Sequence, residues 1–106
     1  MSWTLTAKHI RPNTDVEFYK AEGSERHMND SDRSYVQSTY KDTGKIVETS
    51  VSLSDNQLEL TKTIVFDSED SFKLYYDDTI YAAWRAARDT YNTANNITVE
   101  IEKETT

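Results

Sequence analysis

The sequence contains no cysteine, and this absence limits the chemistry that the chain can perform. Its 106 residues also include only one proline, two glycines and two histidines. Without cysteine there is neither a disulfide nor a thiolate nucleophile, and two histidines are too few for the usual cysteine–histidine zinc site. A chain without cysteine suits a reducing compartment, so we expect a cytoplasmic protein.

Long apolar runs and an export signal are also missing. Residues 2–8 alternate between apolar and polar side chains and lack the apolar core of a signal peptide. No apolar run approaches the length that spans a bilayer, so we expect no membrane association. The net charge of −7 opposes binding to a nucleic-acid backbone, and we expect no nucleic-acid partner.

The apolar residues that are present recur with regular spacing. Seven tyrosines, three phenylalanines and two tryptophans supply material for a core. This pattern excludes full disorder, and the chain length suits one domain. We expect a single α+β domain over residues 1–106 that is frayed after about residue 102.

Four segments alternate between apolar and polar residues, which predicts four strands. The segments are residues 2–10, 47–53, 58–66 and 97–102. The predicted inward face of the second consists of Val47, Thr49, Val51 and Leu53. Lys62 interrupts the inward face of the third, so we expect it near a sheet edge or extended toward solvent. The turn-forming residues 54–57 predict a hairpin between the two.

The segment between the first two strands allows more than one interpretation. Thr14 and Glu17 have the spacing of a capping box, which predicts a short helix from Asp15. Alternation over residues 16–19 instead favours an extended segment, and the pattern does not separate the two.

A second helix is predicted further along the same segment. Asp30 or Ser31 is a suitable N-cap for a helix that runs to about Tyr40. Val36 and Tyr40 then share one face, and Gly44 occupies the position of a C-terminal cap.

After Phe66 the apolar period changes from two to about 3.6 residues, which predicts a long helix over residues 69–93 with Ser68 as its N-cap. Its apolar stripe contains Phe72, Tyr76, Ile80, Ala83, Ala87, Tyr91 and Ala94. Residues 77–79 are weak helix formers, so we expect a kink or a second helix that restarts at Thr79. The resulting element order is that of a ferredoxin-like β(α)ββαβ fold, a four-stranded antiparallel sheet with helices on one face.

No complete catalytic motif is present, and we expect neither a metal nor a cofactor. The acids at positions 67, 69 and 70 are explained by the positive end of a helix dipole. The candidates for a pocket or an interface are His9, Tyr75, Tyr76, Tyr81 and Trp84. A histidine can carry a proton near neutral pH, although a satisfied strand-end histidine is the simpler explanation of His9. Tyr81 lies off the apolar stripe and is the preferred pocket or interface residue.

Two segments of the second half carry a resemblance to a known family. The sequences FDSEDSF (residues 66–72) and YYDDTIYAAW (residues 75–84) resemble the part of dimeric α+β-barrel proteins in which a strand leads into a capped helix. That group includes the small antibiotic-biosynthesis-type monooxygenases. The resemblance implies a ferredoxin-like fold whose sheets pair in a dimer.

A second resemblance concerns the first half of the chain. The sequences RPNTDV (residues 11–16) and TYKDTGK (residues 39–45) are similar to small proteins of tailed phages that infect marine cyanobacteria. This similarity implies a phage-encoded accessory protein in the host cytoplasm or the virion, and it implies no activity.

Two functions from different classes follow from these patterns. Because no catalytic constellation stands out, the first is a non-enzymatic binding or assembly protein that forms a small homo-oligomer, preferably a dimer, and could bind a protein partner. The alternative is a cofactor-independent monooxygenase or isomerase that acts on an apolar compound. It requires an enclosed pocket between sheet and helices, with His9 or a helix tyrosine pointing inward.

Overall fold

Four strands form one antiparallel sheet in a computed structural model that describes residues 2–18 and 30–105. The strands are β1 (Trp3–Ile10), β2 (Ile46–Leu53), β3 (Glu59–Phe66) and β4 (Thr98–Thr105). Their order in the sheet is β2-β3-β1-β4, so β1 and β3 are the central strands. Strand β4 pairs with β1 as far as Thr105, which lies opposite Trp3, and is therefore longer than the alternation predicts.

The helices connect β1 to β2 and β3 to β4. They are α1 (Asp30–Val36), which continues as a π-helical turn (Gln37–Lys41), α2 (Glu69–Asp77) and α3 (Thr79–Ala94). This arrangement confirms the predicted ferredoxin-like α+β fold with helices on one face of the sheet. In the described part of the chain, no helix combines the length and the apolar character that a membrane crossing needs.

Two predicted helix ends are confirmed. Ser68 has extended backbone angles, and its hydroxyl accepts a hydrogen bond from the backbone N–H of Ser71 at 3.2 Å. Gly44 has φ of +80° and donates its N–H to the carbonyl of Lys41 at the end of the π-helical turn. A side chain at that backbone angle would be strained, which explains the glycine.

The predicted short helix from Asp15 is wrong. The side chain of Asn13 accepts a hydrogen bond from the backbone N–H of Asp15 at 2.9 Å and forms a local turn that competes with a helix. The extended alternative is absent as well from residues 16–18, where the backbone is irregular, and Tyr19 lies outside the described residues. The second histidine, His27, also lies outside the described residues.

The core lies between the helix-facing side of the sheet and the helices. Its main cluster consists of Trp3, Leu5, Val36, Tyr40, Ile46, Phe66, Phe72, Tyr75 and Tyr81. Phe66 is completely buried at its centre, and Trp3 stacks on Phe72 with 3.9 Å between ring centroids. The predicted inward positions Val36 and Tyr40 both belong to this cluster. A smaller cluster contains Phe18, Leu60 and Ile97.

A β-bulge changes the predicted inward face of β2. Ile46 lies opposite Phe66, but the next paired residue is Glu48, which lies opposite Val65. Val47 is the extra residue at this shift and is 62% exposed, so its predicted inward position is wrong. Ile46 takes the buried position instead.

The break expected at residues 77–79 is confirmed, since α2 ends at Asp77 and α3 begins at Thr79, and this break changes which residues are buried. Asp78 has ψ of 133°, and its carboxylate rather than Thr79 caps α3 by accepting from the N–H of Ile80. Because the backbone is extended there, the apolar stripe does not continue in phase from α2 into α3. The buried residues of α3 are Tyr81, Arg88 and Asn92, whereas the predicted stripe residues Ala83, Ala87 and Ala94 are exposed.

The carboxylate of Asp78 also joins the two helical connections. The hydroxyls of Tyr35 and Tyr40 both donate to its Oδ2 atom at 2.6 Å. Partial burial raises the pKa of Asp78, but these phenol bonds and the bond from Ile80 lower it by more, so the net shift is downward. The ionised carboxylate is therefore the form that the fold stabilises.

We expect that Asp78→Ala lowers the free energy of unfolding by ~1 kcal/mol or more, because the variant loses the cap of α3 and the acceptor of both phenols. Asp77→Ala is the matched control, since Asp77 is exposed at the end of α2. Urea denaturation at pH 7 measures both values. Equal stability of the two variants would contradict the assignment.

The same variants predict a pH dependence. A lowered carboxyl pKa in the folded state stabilises the protein above the unfolded value of about 4 and stops doing so as the pH falls through the folded value. The stability difference between wild type and Asp78→Ala should therefore shrink when denaturation is repeated below pH ~4. A difference that is constant from pH 7 to pH 3 would argue against an ionised acceptor.

Candidate functional site

A cavity of about 360 Å³ lies between the sheet and the helices. This volume lies at the lower end of the range for small-molecule sites. Alternate residues of the central strands form its floor, and α1, the π-helical turn, α2 and α3 form its walls. The residues that line the floor and the helical walls are Leu5, Ala7, His9, Lys62, Ile64, Arg33, Val36, Gln37, Lys41, Tyr75, Tyr81, Trp84 and Arg88.

One wall of the cavity is aromatic. The rings of Tyr75 and Tyr81 are 4.3 Å apart between centroids, and Trp84 stacks on Tyr81 at 5.7 Å with an interplanar angle of 16°. Burial raises the pKa of Tyr75, and it also raises that of Tyr81 against the opposing charges of Arg88 and Arg85. Both phenols therefore stay protonated at neutral pH and can donate hydrogen bonds to a flat ligand.

Two basic side chains meet at Trp84. The Lys62 ammonium nitrogen lies 5.1 Å from the centroid of the indole ring, and the central guanidinium carbon of Arg88 lies 5.3 Å from it. Arg88 is 6% exposed. These distances are within the range of cation–π attraction, so both positive charges are held next to Trp84 in the wall of the cavity.

The position of Lys62 corrects the sequence prediction. Lys62 lies on the central strand β3 and not at an edge, and its ammonium nitrogen is buried rather than extended to solvent. Within residues 2–18 and 30–105 it has no hydrogen-bond partner. Burial lowers the pKa of Lys62 to about 8, and the charge of Arg88 acts in the same direction. The amine can therefore exchange a proton close to physiological pH.

His9 lies on the same floor as Lys62. It is 3% exposed and lines the cavity from β1. His9 pairs with Leu60 and Ala7 with Lys62, so His9 and Lys62 are diagonal neighbours on one face of adjacent strands. Diagonal neighbours have Cα atoms about 7–8 Å apart, which lets one small molecule contact both side chains. The site thus brings together two groups that can accept or release a proton.

Four of the five sequence candidates line this cavity: His9, Tyr75, Tyr81 and Trp84. Tyr76 is not part of the lining. Its ring packs instead against the Arg85 guanidinium at 3.7 Å and the Lys103 ammonium group at 4.5 Å. Its place is therefore outside the cavity, in the layer that covers β4.

The sequence reasoning missed the basic residues of the cavity. The sequence did contain an indication for Lys62, because a charged residue at an inward strand position must be paired, exposed or functional. Arg88 had a weaker one, since it follows Trp84 by one helical turn and lies on the side that the apolar stripe left polar. Among residues 2–18 and 30–105, no three acidic or histidine side chains are placed to hold a metal ion.

Solved structures with a similar fold include a cofactor-independent oxygenase. The chain is similar to SnoaB, a cofactor-independent oxygenase from Streptomyces nogalater, with a TM-score of 0.62 and 12% identity over 99% of this chain and 92% of that one. It is similar to a proposed antibiotic biosynthesis monooxygenase from Caulobacter crescentus, with a TM-score of 0.58 and 13% identity over 98% and 91%. It is also similar to Rv0793 from Mycobacterium tuberculosis, with a TM-score of 0.52 and 13% identity over 94% and 92%.

These likenesses concern the fold. They confirm the predicted resemblance to the ferredoxin-like proteins of the antibiotic-biosynthesis-monooxygenase type. No protein-family model matches the chain, and no curated protein matches it by sequence. The resemblance to phage proteins stays a prediction, because these structures do not test it.

The first of the two predicted functions is contradicted. A non-enzymatic binding or assembly protein was expected because the sequence shows no catalytic constellation. The structural neighbours include a cofactor-independent oxygenase, which supports the alternative function instead. Candidates for proton transfer are distant in sequence and adjacent only in the fold, so no local motif reveals them.

We expect that Lys62→Met raises the free energy of unfolding by about 1–3 kcal/mol at pH 7, because it removes a buried polar group that lacks a partner. Lys73→Met is the control, since Lys73 is an exposed lysine on α2. Chemical denaturation of the three proteins measures the change. A destabilised Lys62→Met would indicate that the amine is needed for the fold.

The difference in the free energy of unfolding between Lys62→Met and the wild type should also depend on pH. At pH 7 Lys62 is charged in both states, whereas between about 8 and its ordinary value of 10.5 only the unfolded chain keeps the proton. The free energy of unfolding of the wild type therefore rises with pH relative to Lys62→Met across that window. A gap that stays constant from pH 7 to pH ~10 would contradict the lowered pKa.

Proposed function

We propose that the protein is a cofactor-independent monooxygenase, or an isomerase that uses the same first step, acting on an apolar aromatic compound. The observation that carries this proposal is the cavity, where an aromatic wall faces two groups able to move protons, His9 and Lys62. The likeness to a cofactor-independent oxygenase supports the same function.

The proposed chemistry begins with removal of a proton from the substrate. An oxygenase without a cofactor needs a substrate that itself reduces dioxygen, and a carbanion next to an aromatic ketone can do so. The imidazole of His9 takes the proton, because Lys62 is charged at pH 7. The carbanion adds dioxygen and is protonated to a hydroperoxide at the same carbon. The second C–H bond of the former CH₂ group and the O–O bond then break, so that one oxygen atom becomes a carbonyl and the other leaves as water.

The remaining lining residues would orient the substrate. The faces of Tyr81 and Trp84 match a flat ring system, and the phenol of Tyr75 can donate to a developing oxyanion. Basic side chains close to the reacting carbon stabilise the carbanion electrostatically. In the isomerase variant of this proposal the same carbanion is reprotonated at another carbon, and dioxygen is not consumed.

The test is oxygen uptake with anthrone, an aromatic ketone with an acidic CH₂ group, in the presence of a metal chelator and without added flavin. We expect the protein to accelerate uptake and to form anthraquinone, with one labelled oxygen atom from labelled dioxygen in the product. His9→Asn and Lys62→Met should each be tested. The variant that lacks the catalytic base should take up oxygen more slowly than the wild type by a factor of about 10² or more.

The matched control is Lys73→Met, which should keep the full rate because Lys73 is outside the cavity. A rate equal to that of heat-denatured protein would contradict the oxygenase. A rate that neither His9→Asn nor Lys62→Met changes would contradict this site. Carbon-bound deuterium exchange without oxygen uptake would favour the isomerase.

The proposal includes assembly as a homodimer and a cytoplasmic location, which the absence of cysteine supports. In the described residues, the helices cover one face of the sheet. The opposite face is rich in threonine, with Thr6, Thr61 and Thr63 half-buried on the central strands. A second sheet packed on this flat face would complete an α+β barrel.

We expect a dimer in sedimentation equilibrium at micromolar concentration. Thr61→Arg places a charge at the centre of the open face and should shift the equilibrium to the monomer, because an unpaired charge is costly to bury. Thr93→Arg is the control, since Thr93 is exposed on α3. A wild-type protein that stays monomeric at high concentration would contradict the dimer.

A further inference from the structure

The cavity is basic although the protein is acidic. The sequence has 19 acidic and 12 basic residues, yet among the described residues the cavity lining includes four bases and no aspartate or glutamate. The four are Arg33, Lys41, Lys62 and Arg88. Charges that serve only solubility can lie anywhere on the surface. The concentration of positive charge in this cavity therefore indicates a negatively charged ligand.

The charge of Arg88 has a partner within the protein. Its Nε and one terminal nitrogen donate to Oδ1 of the following residue, Asp89, at 3.1 and 3.0 Å. The carboxylate side chain of Asp89 is 62% exposed and is not part of the cavity lining. Solvent therefore weakens this ion pair, and the positive field of Arg88 reaches the cavity in part.

Lys62 has no comparable partner in the described residues. Its ammonium nitrogen is buried and lies over the face of Trp84. The charge that acts on it is that of another cation, Arg88, which lowers the pKa of Lys62. A buried ammonium group without an acceptor lowers stability, and a bound anion would remove this cost. An anionic ligand would therefore supply the acceptor that the ammonium group of Lys62 lacks among the described residues.

We propose that the compound that binds in the cavity carries an acidic group, a carboxylate or an ionised phenol, which accepts a hydrogen bond from Lys62 while its ring packs on Trp84. This inference rests on the proposed use of the cavity as the substrate site and adds the charge of the substrate. The aromatic wall and the small volume favour a compact, flat organic anion over inorganic phosphate or a flexible fatty acid.

The test compares two ligands of the same shape, anthraquinone carboxylate and its uncharged carboxamide. Binding is followed by quenching of Trp84 fluorescence in a Trp3→Phe background, where Trp84 is the only tryptophan. We expect the carboxylate to bind about tenfold or more tightly than the amide, which corresponds to one charge-assisted hydrogen bond. Isothermal titration of the unmodified protein checks that Trp3→Phe leaves the dissociation constants unchanged.

Lys62→Met should remove the preference for the carboxylate and leave the affinity for the amide within about twofold. Lys62→Arg retains a positive charge and should keep part of the preference. Lys73→Met, with the same change of charge outside the cavity, should keep all of it. Because Lys62→Met is expected to be more stable than the wild type, misfolding does not account for the loss.

Three results would overturn the inference: equal affinity for carboxylate and amide, an undiminished preference in Lys62→Met, or a preference that Lys73→Met also loses. These results are independent of catalysis. Tight carboxylate binding without any oxygen uptake or proton exchange would refute the proposed enzyme and leave the anion site intact. Oxygen uptake with uncharged substrates and no preference for the carboxylate would refute the anion site and leave the proposed enzyme intact.

Discussion

The carboxylate of Asp78 holds the helical layer in the arrangement on which the cavity depends. One oxygen caps α3, and the other accepts hydrogen bonds from Tyr35 and Tyr40 of the first helical connection. Because the chain is extended at this residue, α3 starts with a new helical phase and turns Trp84 and Arg88 toward the sheet. A continuous helix would have presented alanines at the same place. A small polar group thus determines which side chains form the wall of the cavity.

The wall and floor combine features that oppose stability. Lys62 occupies an inward position of a central strand, where an apolar residue would pack better, and its buried amine has no acceptor among the described residues. Arg88 is 6% exposed and lies against the same indole ring. Buried charges of one sign around an aromatic surface are costly in an empty protein and useful when a ligand brings the opposite charge. The proposed substrate site and its proposed acidic ligand both follow from this imbalance.

Local signals in the sequence were reliable where the structure depends on near neighbours. Strand alternation located all four strands, and Ser68 and Gly44 mark helix ends through bonds to residues three positions away. The errors occurred where a competing local or distant contact prevails. The side chain of Asn13 forms a turn in place of a helix. A register shift in the pairing with β3 makes Val47 the extra residue, so that Ile46 is the inward residue of β2. Of the five candidate site residues, Tyr76 alone lies outside the cavity, since its ring covers β4.

The sequence by itself determined the element order, the ferredoxin-like topology and the excess of aromatic residues, because periodicity and capping are properties of residues that are close along the chain. Only the tertiary structure decided the phase of α3, the cavity and the meeting of His9, Lys62 and Arg88 within it. These depend on contacts between distant residues, such as the bond from Tyr35 to Asp78 across 43 positions, which no local pattern records. A charged residue at an inward strand position was visible in the sequence, and its surroundings were not.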